Sequence, residues 1–196
     1  MWKKYKKFTI DQINNSELSY DPYCHLVLDT VFHPELFAQI SKHWPLGDSA
    51  WVKNTQGLNR SRIQYALPGR DGFWHDFYYE FLSDSEFYNV TRDKMRLAEP
   101  KTRYVSATLW SDKSGYQIGS HVDQPKIYVA WMTYIHMPKG AKGTELYRDE
   151  KGTLAKALSN QPNTGWLMLN DAYSWHGLPE QNVQGARDSV MVRFMK

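Results

Sequence analysis

The sequence predicts an α+β fold, mainly β, in which a helical layer covers one face of a β-sandwich whose strand lengths suit a jelly roll. Two observations carry this. Helical spacing of apolar residues is confined to about the first hundred positions, and β-branched or aromatic runs broken by Gly, Pro, Asn and Asp take over from Arg103. Size sets the scale: 196 residues suffice for one well-buried domain and are short for two. The expected division is a single domain over 1–196, with about 1–100 as helix-rich lead and support and about 103–196 as the jelly-roll core.

The first seven residues, with Lys3, Lys4, Lys6 and Lys7 between aromatics, are expected to form a solvated arm. Residues 34–44 predict a helix: Pro34 suits its first turn, Leu36, Phe37, Ile40 and Trp44 share a face, and Pro45 stops it. A second helix is expected from about Gly72 to Leu82, where Phe73, Trp74, Phe77 and Phe81 recur at helical spacing, and a third follows Ser85. The strands expected are Tyr104–Trp110, Ile127–Ile135, Thr144–Tyr147, Gly165–Leu169 and Arg187–Met195.

Composition closes off several function classes. Hydrophobic residues make up 41% and aromatics 15%, which excludes a disordered chain. The formal charge of +3 provides no broad field for a polyanion. The single cysteine, Cys24, excludes an internal disulfide and a Cys-rich zinc site. No apolar run approaches a membrane span and the polar N-terminus lacks a signal-peptide core, so a soluble cytoplasmic protein without membrane contact is expected.

The chemistry concentrates in Gly119-Ser120-His121-Val122-Asp123, His176 and Arg187-Asp188-Ser189. At a strand end, residues i and i+2 project to one side, so His121 and Asp123 can converge on one ion. His176 would arrive on another strand, after Leu167-Met168-Leu169. Two imidazoles and a carboxylate on one face of a divalent metal are the facial triad of non-haem Fe(II) oxygenases. A zinc hydrolase could use the same ligands, but no additional base suggests itself. On the last strand Arg187, Ser189, Met191 and Arg193 share one side, and the opposite side, from Asp188 to Phe194, is almost wholly apolar. A guanidinium and a hydroxyl pointing inward suit the distal carboxylate of a dicarboxylate such as 2-oxoglutarate. An Arg187 paired with a protein carboxylate is the plainer alternative.

From Tyr104 onward these residues resemble the 2-oxoglutarate/Fe(II)-dependent dioxygenase superfamily, in its prolyl 4-hydroxylase-like branch. The approach Gly115–Asp123, the strand Met132–His136, Gly143-Thr144-Glu145-Leu146, the segment Asn163–Asn170 followed by Ser174–Gly177, and the ending Gly185-Ala186-Arg187-Asp188-Ser189 carry the likeness. Thr144 stands where the branch has a second glycine. The resemblance implies a double-stranded β-helix with N-terminal helices packed on the major sheet. It implies iron on His121, Asp123 and His176, and the distal carboxylate of 2-oxoglutarate on Arg187 and Ser189 with help from Tyr134. Trp110 stands where several relatives place a tyrosine beside the cosubstrate. Fe(II), 2-oxoglutarate and O2 are the implied cofactors, with ascorbate as an external reductant.

The expected reaction is hydroxylation of an unactivated C–H bond in a peptidyl, amino-acid or other small-metabolite substrate, releasing succinate and CO2. Two alternatives stand beside it. Arg187 and Arg193 have the six-residue spacing of the AlkB-like nucleic-acid demethylases, although Ser189 replaces the asparagine expected between them. A catalytically silent jelly-roll binding module is the other. Nucleic acid is not the expected partner.

Overall fold

Alternation along three strands sorts the core into two layers. In the chain segment Ile127–His136, Val129, Trp131 and Ile135 point one way while Ala130, Met132 and Tyr134 point the other. The same split separates Val190, Val192 and Phe194 from Met191 in Ala186–Met195, and Leu167 from Trp166 and Met168 in Gly165–Leu169. Each strand is apolar on both faces because it is covered on both.

The computed structural model describes residues 1–45, 47, 50–53, 61–68, 72–97 and 104–196. Twelve strands are described: β1 (Leu18–Ser19), β2 (His25–Leu28), β3 (Val52–Lys53), β4 (Arg62–Ala66), β5 (Tyr104–Lys113), β6 (Ile118–His121), β7 (Ile127–His136), β8 (Glu145–Tyr147), β9 (Leu154–Ala157), β10 (Gly165–Leu169), β11 (His176–Leu178) and β12 (Ala186–Met195). The major sheet has the order β1-β2-β10-β7-β12-β5-β4-β3 and the minor sheet β6-β11-β8-β9. All pairings are antiparallel, and neither sheet closes on itself. This is the expected jelly-roll arrangement, and the minor sheet contributes Leu146 to the layer between the sheets.

Helices cover the outer face of the major sheet. Helix α2 (Pro34–Lys42) begins as expected, with His33 capping through an Nδ1 that accepts from the Glu35 amide, and it buries Leu36 and Ile40. Helix α3 (Gly72–Asp76) runs on into π-helical turns over Phe77–Leu82, and α4 (Ser85–Lys94) starts at Asp84, whose carboxylate accepts from the Glu86 amide. Phe77, Phe81 and Phe87 are fully buried and meet Phe32 and Trp131 edge-on or tilted. No helix among the described residues is long and apolar enough to cross a membrane.

The N-terminus corrects an expectation. Residues 1–7 are not a solvated arm but open helix α1 (Trp2–Asn15), which buries Tyr5, Thr9, Ile10 and Ile13. Trp2 packs against Phe73, Phe77 and Phe81. The lysines masked the pattern because they fill the outer face, where Lys4 pairs with Glu35, Lys6 with Asp84 and Lys7 with Asp11. With those charges answered, the segment presents much less free positive charge than its sequence suggested.

Candidate active site

Strand pairing brings the expected metal ligands together. His121 ends β6 and His176 begins β11, and the two are direct cross-strand partners with ring centroids 4.4 Å apart. Gly177 lets the strands approach this closely, since a Cβ there would lie 2.6 Å from the Ile118 carbonyl oxygen. Asp123 follows two residues after His121, and its Oδ2 lies 4.0 Å from His176 Nε2. One donor atom from each of the three residues lies within 4.8 Å of the others.

The backbone orients both imidazoles. His121 Nδ1 is 2.9 Å from the Gly119 carbonyl oxygen, and His176 Nδ1 is 2.9 Å from that of Ser174. A carbonyl only accepts, so each Nδ1 carries the proton and each Nε2 keeps its lone pair for an ion. His176 is buried, which pushes its pKa down to about 4; Asp123 opposes this and His121 adds to it. The ring is therefore neutral at pH 7, as a ligand must be. The donor set of two nitrogens and one carboxylate oxygen on one side suits a divalent iron with open positions.

A row of charges crosses β4, β5 and β12 nearby. Arg62 and Arg187 both stand in register with Asp112. Arg62 donates from Nε to Asp112 Oδ1 at 2.5 Å and from Nη2 to Oδ2 at 2.9 Å, and Arg187 donates from Nη1 to Oδ2 at 2.5 Å. All three side chains are buried. The Arg62 guanidinium is held between the rings of Trp110, at 3.8 Å, and Tyr116, at 4.1 Å, while Arg187 lies over Tyr134 at 4.9 Å. Burial works to lower the Arg187 pKa, but the Asp112 carboxylate, with the neighbouring Tyr134 hydroxyl, outweighs it and raises it.

One carboxylate thus serves two buried guanidiniums, which leaves a positive charge unanswered in low dielectric. A cavity of about 250 Å³ joins the two groups, taking in His121, Asp123 and His176 together with Arg62, Arg187 and Trp110. Around it, Trp110 Nε1, Arg187 Nε, Ser189 Oγ and Arg193 Nε are buried with no hydrogen-bond partner among the described residues. Unsatisfied donors around a cationic cavity fit an anionic, oxygen-rich ligand. A dicarboxylate reaching from the ion toward Arg187 meets that description, so the residues present suit both iron and 2-oxoglutarate.

The sequence-predicted residues do not all reach the cavity. Arg187 and Trp110 line it, whereas Ser189 and Tyr134 lie behind its wall. Ser189 is fully buried between Trp110 and Tyr134 on the neighbouring strands. The Tyr134 hydroxyl donates to Thr144 Oγ1 at 3.0 Å and accepts from the Thr144 amide at 2.9 Å. Its ring supports Arg187, and its proton is engaged by the threonine that stands in place of a glycine. Trp110 brings an indole N–H, a donor, to the position where the resemblance puts a tyrosine in several relatives. The plainer alternative for Arg187 is also present, because Asp112 pairs with its Nη1, while Nε has no partner among the described residues.

Arg62 and Asp112 were not singled out from the sequence. Asp112 stands two residues beyond Trp110, so extending β5 by its period of two would have placed it on the cavity face. His136, at the end of β7, pairs with Asp188 at 2.9 Å and meets Trp44 edge-on. His25 bonds the Tyr23 carbonyl, and His43 stacks on Phe73. Arg103, where the β-rich part of the sequence was expected to begin, lies outside the described residues.

No protein-family model matches the sequence, and no curated protein matches it at a significant level. Solved structures do. A prolyl 4-hydroxylase from Pseudomonas putida is 11% identical with a TM-score of 0.67, over 96% of this chain and 97% of that one. A prolyl hydroxylase from Trichoplax adhaerens, solved with a hypoxia inducible factor peptide fragment, is 12% identical with a TM-score of 0.65, over 97% and 88%. An oxidoreductase of the 2OG-Fe(II) oxygenase family from Burkholderia pseudomallei is 10% identical with a TM-score of 0.64, over 97% and 89%. The chain has the fold shared by these prolyl hydroxylases and 2OG-Fe(II) oxygenases.

Proposed function

We propose that this chain, acting as a single domain, is a 2-oxoglutarate- and Fe(II)-dependent dioxygenase that hydroxylates a C–H bond of a peptidyl, amino-acid or other small-metabolite substrate. One observation carries the reading: His121, Asp123 and His176 converge at a cavity that also holds the half-answered guanidinium of Arg187. Either feature alone has a structural explanation, but a facial ligand set facing a buried cation is what an iron-chelating dicarboxylate requires.

Together, iron, 2-oxoglutarate and O2 supply oxidising chemistry in which one oxygen atom enters the C–H bond, the other enters succinate, and CO2 leaves. The protein supplies placement. Gly119 and Ser174 hold the two imidazoles with Nε2 presented, and Asp123 would contribute the negative charge to a bound ion. Arg187, fixed by Asp112 and by the Tyr134 ring, would take the distal carboxylate, with the Trp110 indole N–H as a further donor. Ser189 would contribute only if its hydroxyl turned toward that carboxylate from behind the wall. Met132, Met191 and Trp166 add apolar walls that limit water around the reacting centre.

The protein fold of the neighbours was solved in one case with a peptide, which supports a peptidyl or small substrate over a polyanion. The test is succinate formation by purified protein, measured with and without Fe(II), 2-oxoglutarate and ascorbate. Dependence on both Fe(II) and 2-oxoglutarate is expected; turnover insensitive to either, or none across a broad substrate panel, contradicts the reading.

A further inference from the structure

A charge count around the cavity leaves one residue unexplained. Fe(II) would be balanced by Asp123 and by the carboxylate that 2-oxoglutarate places on the metal. Arg62 and Arg187 would be balanced by Asp112 and the distal carboxylate. Arg193 is the charge left over. It lines the same cavity on the same face of β12, and it makes no salt bridge among the described residues. Its Nε is buried without a hydrogen-bond partner among the described residues, and its guanidinium lies 4.9 Å from the centre of the Trp110 ring.

Arg193 does not duplicate Arg187. Six residues of strand separate their backbones by roughly 20 Å at about 3.3 Å per residue, so one carboxylate held at Arg187 leaves the second guanidinium to another group. Arg193 lines the cavity together with His121, Asp123 and His176; burial lowers its pKa, Asp123 opposes that in part, and Arg62 adds to it. A largely buried cation without a carboxylate is destabilising unless a ligand answers it. The surplus is a single charge, which matches a monoanion, and a cavity of about 250 Å³ shared with 2-oxoglutarate leaves space only for a compact one.

We propose that Arg193, braced on Trp110, is a specificity-determining residue that binds the carboxylate of the primary substrate, so that the substrate is a small carboxylic acid. This rests on the iron and 2-oxoglutarate reading above and names the substrate class for it. In that arrangement the carboxylate anchors at Arg193 and the C–H bond to be oxidised projects toward the ion between His121 and His176.

The test uses the full chain loaded with Mn(II) and saturating 2-oxoglutarate, which holds the site without turnover. Acetate, methyl phosphate and neutral acetamide are added separately, and paramagnetic relaxation of their methyl protons reports approach to the metal. Acetate should show a saturable effect and acetamide none, with methyl phosphate no tighter than acetate. Arg193→Gln should weaken acetate by about tenfold or more, and Arg193→Lys by less. Because an unpaired, largely buried cation is being removed, the Tm of Arg193→Gln should stay level or rise. Acetate binding unchanged in Arg193→Gln, equal effects of acetate and acetamide, or displacement of acetate as 2-oxoglutarate saturates would overturn the assignment. So would tighter binding of methyl phosphate, or a Tm loss beyond about 5 °C in both variants. Failure to take up Mn(II) or 2-oxoglutarate sinks the underlying reading and this one with it, whereas normal loading with no acetate effect sinks this inference alone.

Discussion

Asp112 and Arg187 face each other across β5 and β12, both fully buried, with the carboxylate shared between Arg187 and Arg62. The pairing fixes the guanidinium and leaves its Nε free of any protein partner among the described residues. Replacing Asp112 with Asn keeps the shape but strands two buried guanidiniums. The expected loss is about 3–5 kcal/mol of stability. Chemical denaturation with and without saturating 2-oxoglutarate checks it, and the dicarboxylate should recover part of the loss.

Arg187→Ala should raise the 2-oxoglutarate requirement while leaving Fe(II) binding largely intact. Loss of a buried charge-assisted contact weakens binding by about 2–5 kcal/mol, or roughly 30-fold to several thousand-fold. Initial rates against 2-oxoglutarate concentration measure this. An unchanged dependence would place the cosubstrate elsewhere.

Thr144 joins Tyr134 and the Trp166 indole, whose Nε1 donates to Thr144 Oγ1 at 3.1 Å. Thr144→Val keeps the side-chain volume but takes the acceptor from the Tyr134 hydroxyl and leaves the Trp166 indole only its longer bond to that hydroxyl, at 3.3 Å. A loss of about 1–3 kcal/mol is expected in denaturant titration. Because Tyr134 supports Arg187, 2-oxoglutarate affinity should fall as well, while iron affinity holds.

The jelly roll was legible because its long strands, β5, β7 and β12, have ten residues each and are rich in β-branched and aromatic residues whose identities do not depend on distant partners, and because β10 is an apolar run between turn residues. Helices α2 and α3 were legible from their apolar spacing and, for α2, its proline. Several other short strands were not. β2, β4, β6 and β11 have five residues or fewer, and they are extended because a neighbour pairs with them. β5 was expected to stop at Trp110 because Ser111-Asp112-Lys113 looks like a turn, yet the strand continues to Lys113 because Arg62 and Arg187 satisfy Asp112. The metal ligands were readable from local spacing. Half of the anion pocket was not, since Arg62 enters from a strand fifty residues before its partner.

Acid should destabilise the metal-free protein through His176. Burial holds its folded-state pKa at about 4, below the ordinary 6.5 of the unfolded chain. The unfolded state therefore binds the extra proton first, and stability present above pH 6.5 is lost as the pH falls toward 4. Between pH 7.5 and 5 the parent should lose on the order of 1–3 kcal/mol that a folded His176→Gln variant does not. Equal slopes in the two proteins would remove His176 as the source.

The central claim, that His121, Asp123 and His176 hold one iron, is tested most directly by anaerobic Fe(II) titration of the parent and of His176→Ala, with circular dichroism confirming that both are folded. The expected result is stoichiometric binding by the parent and no stoichiometric binding by the variant. Full iron occupancy and undiminished 2-oxoglutarate turnover in His176→Ala would contradict it.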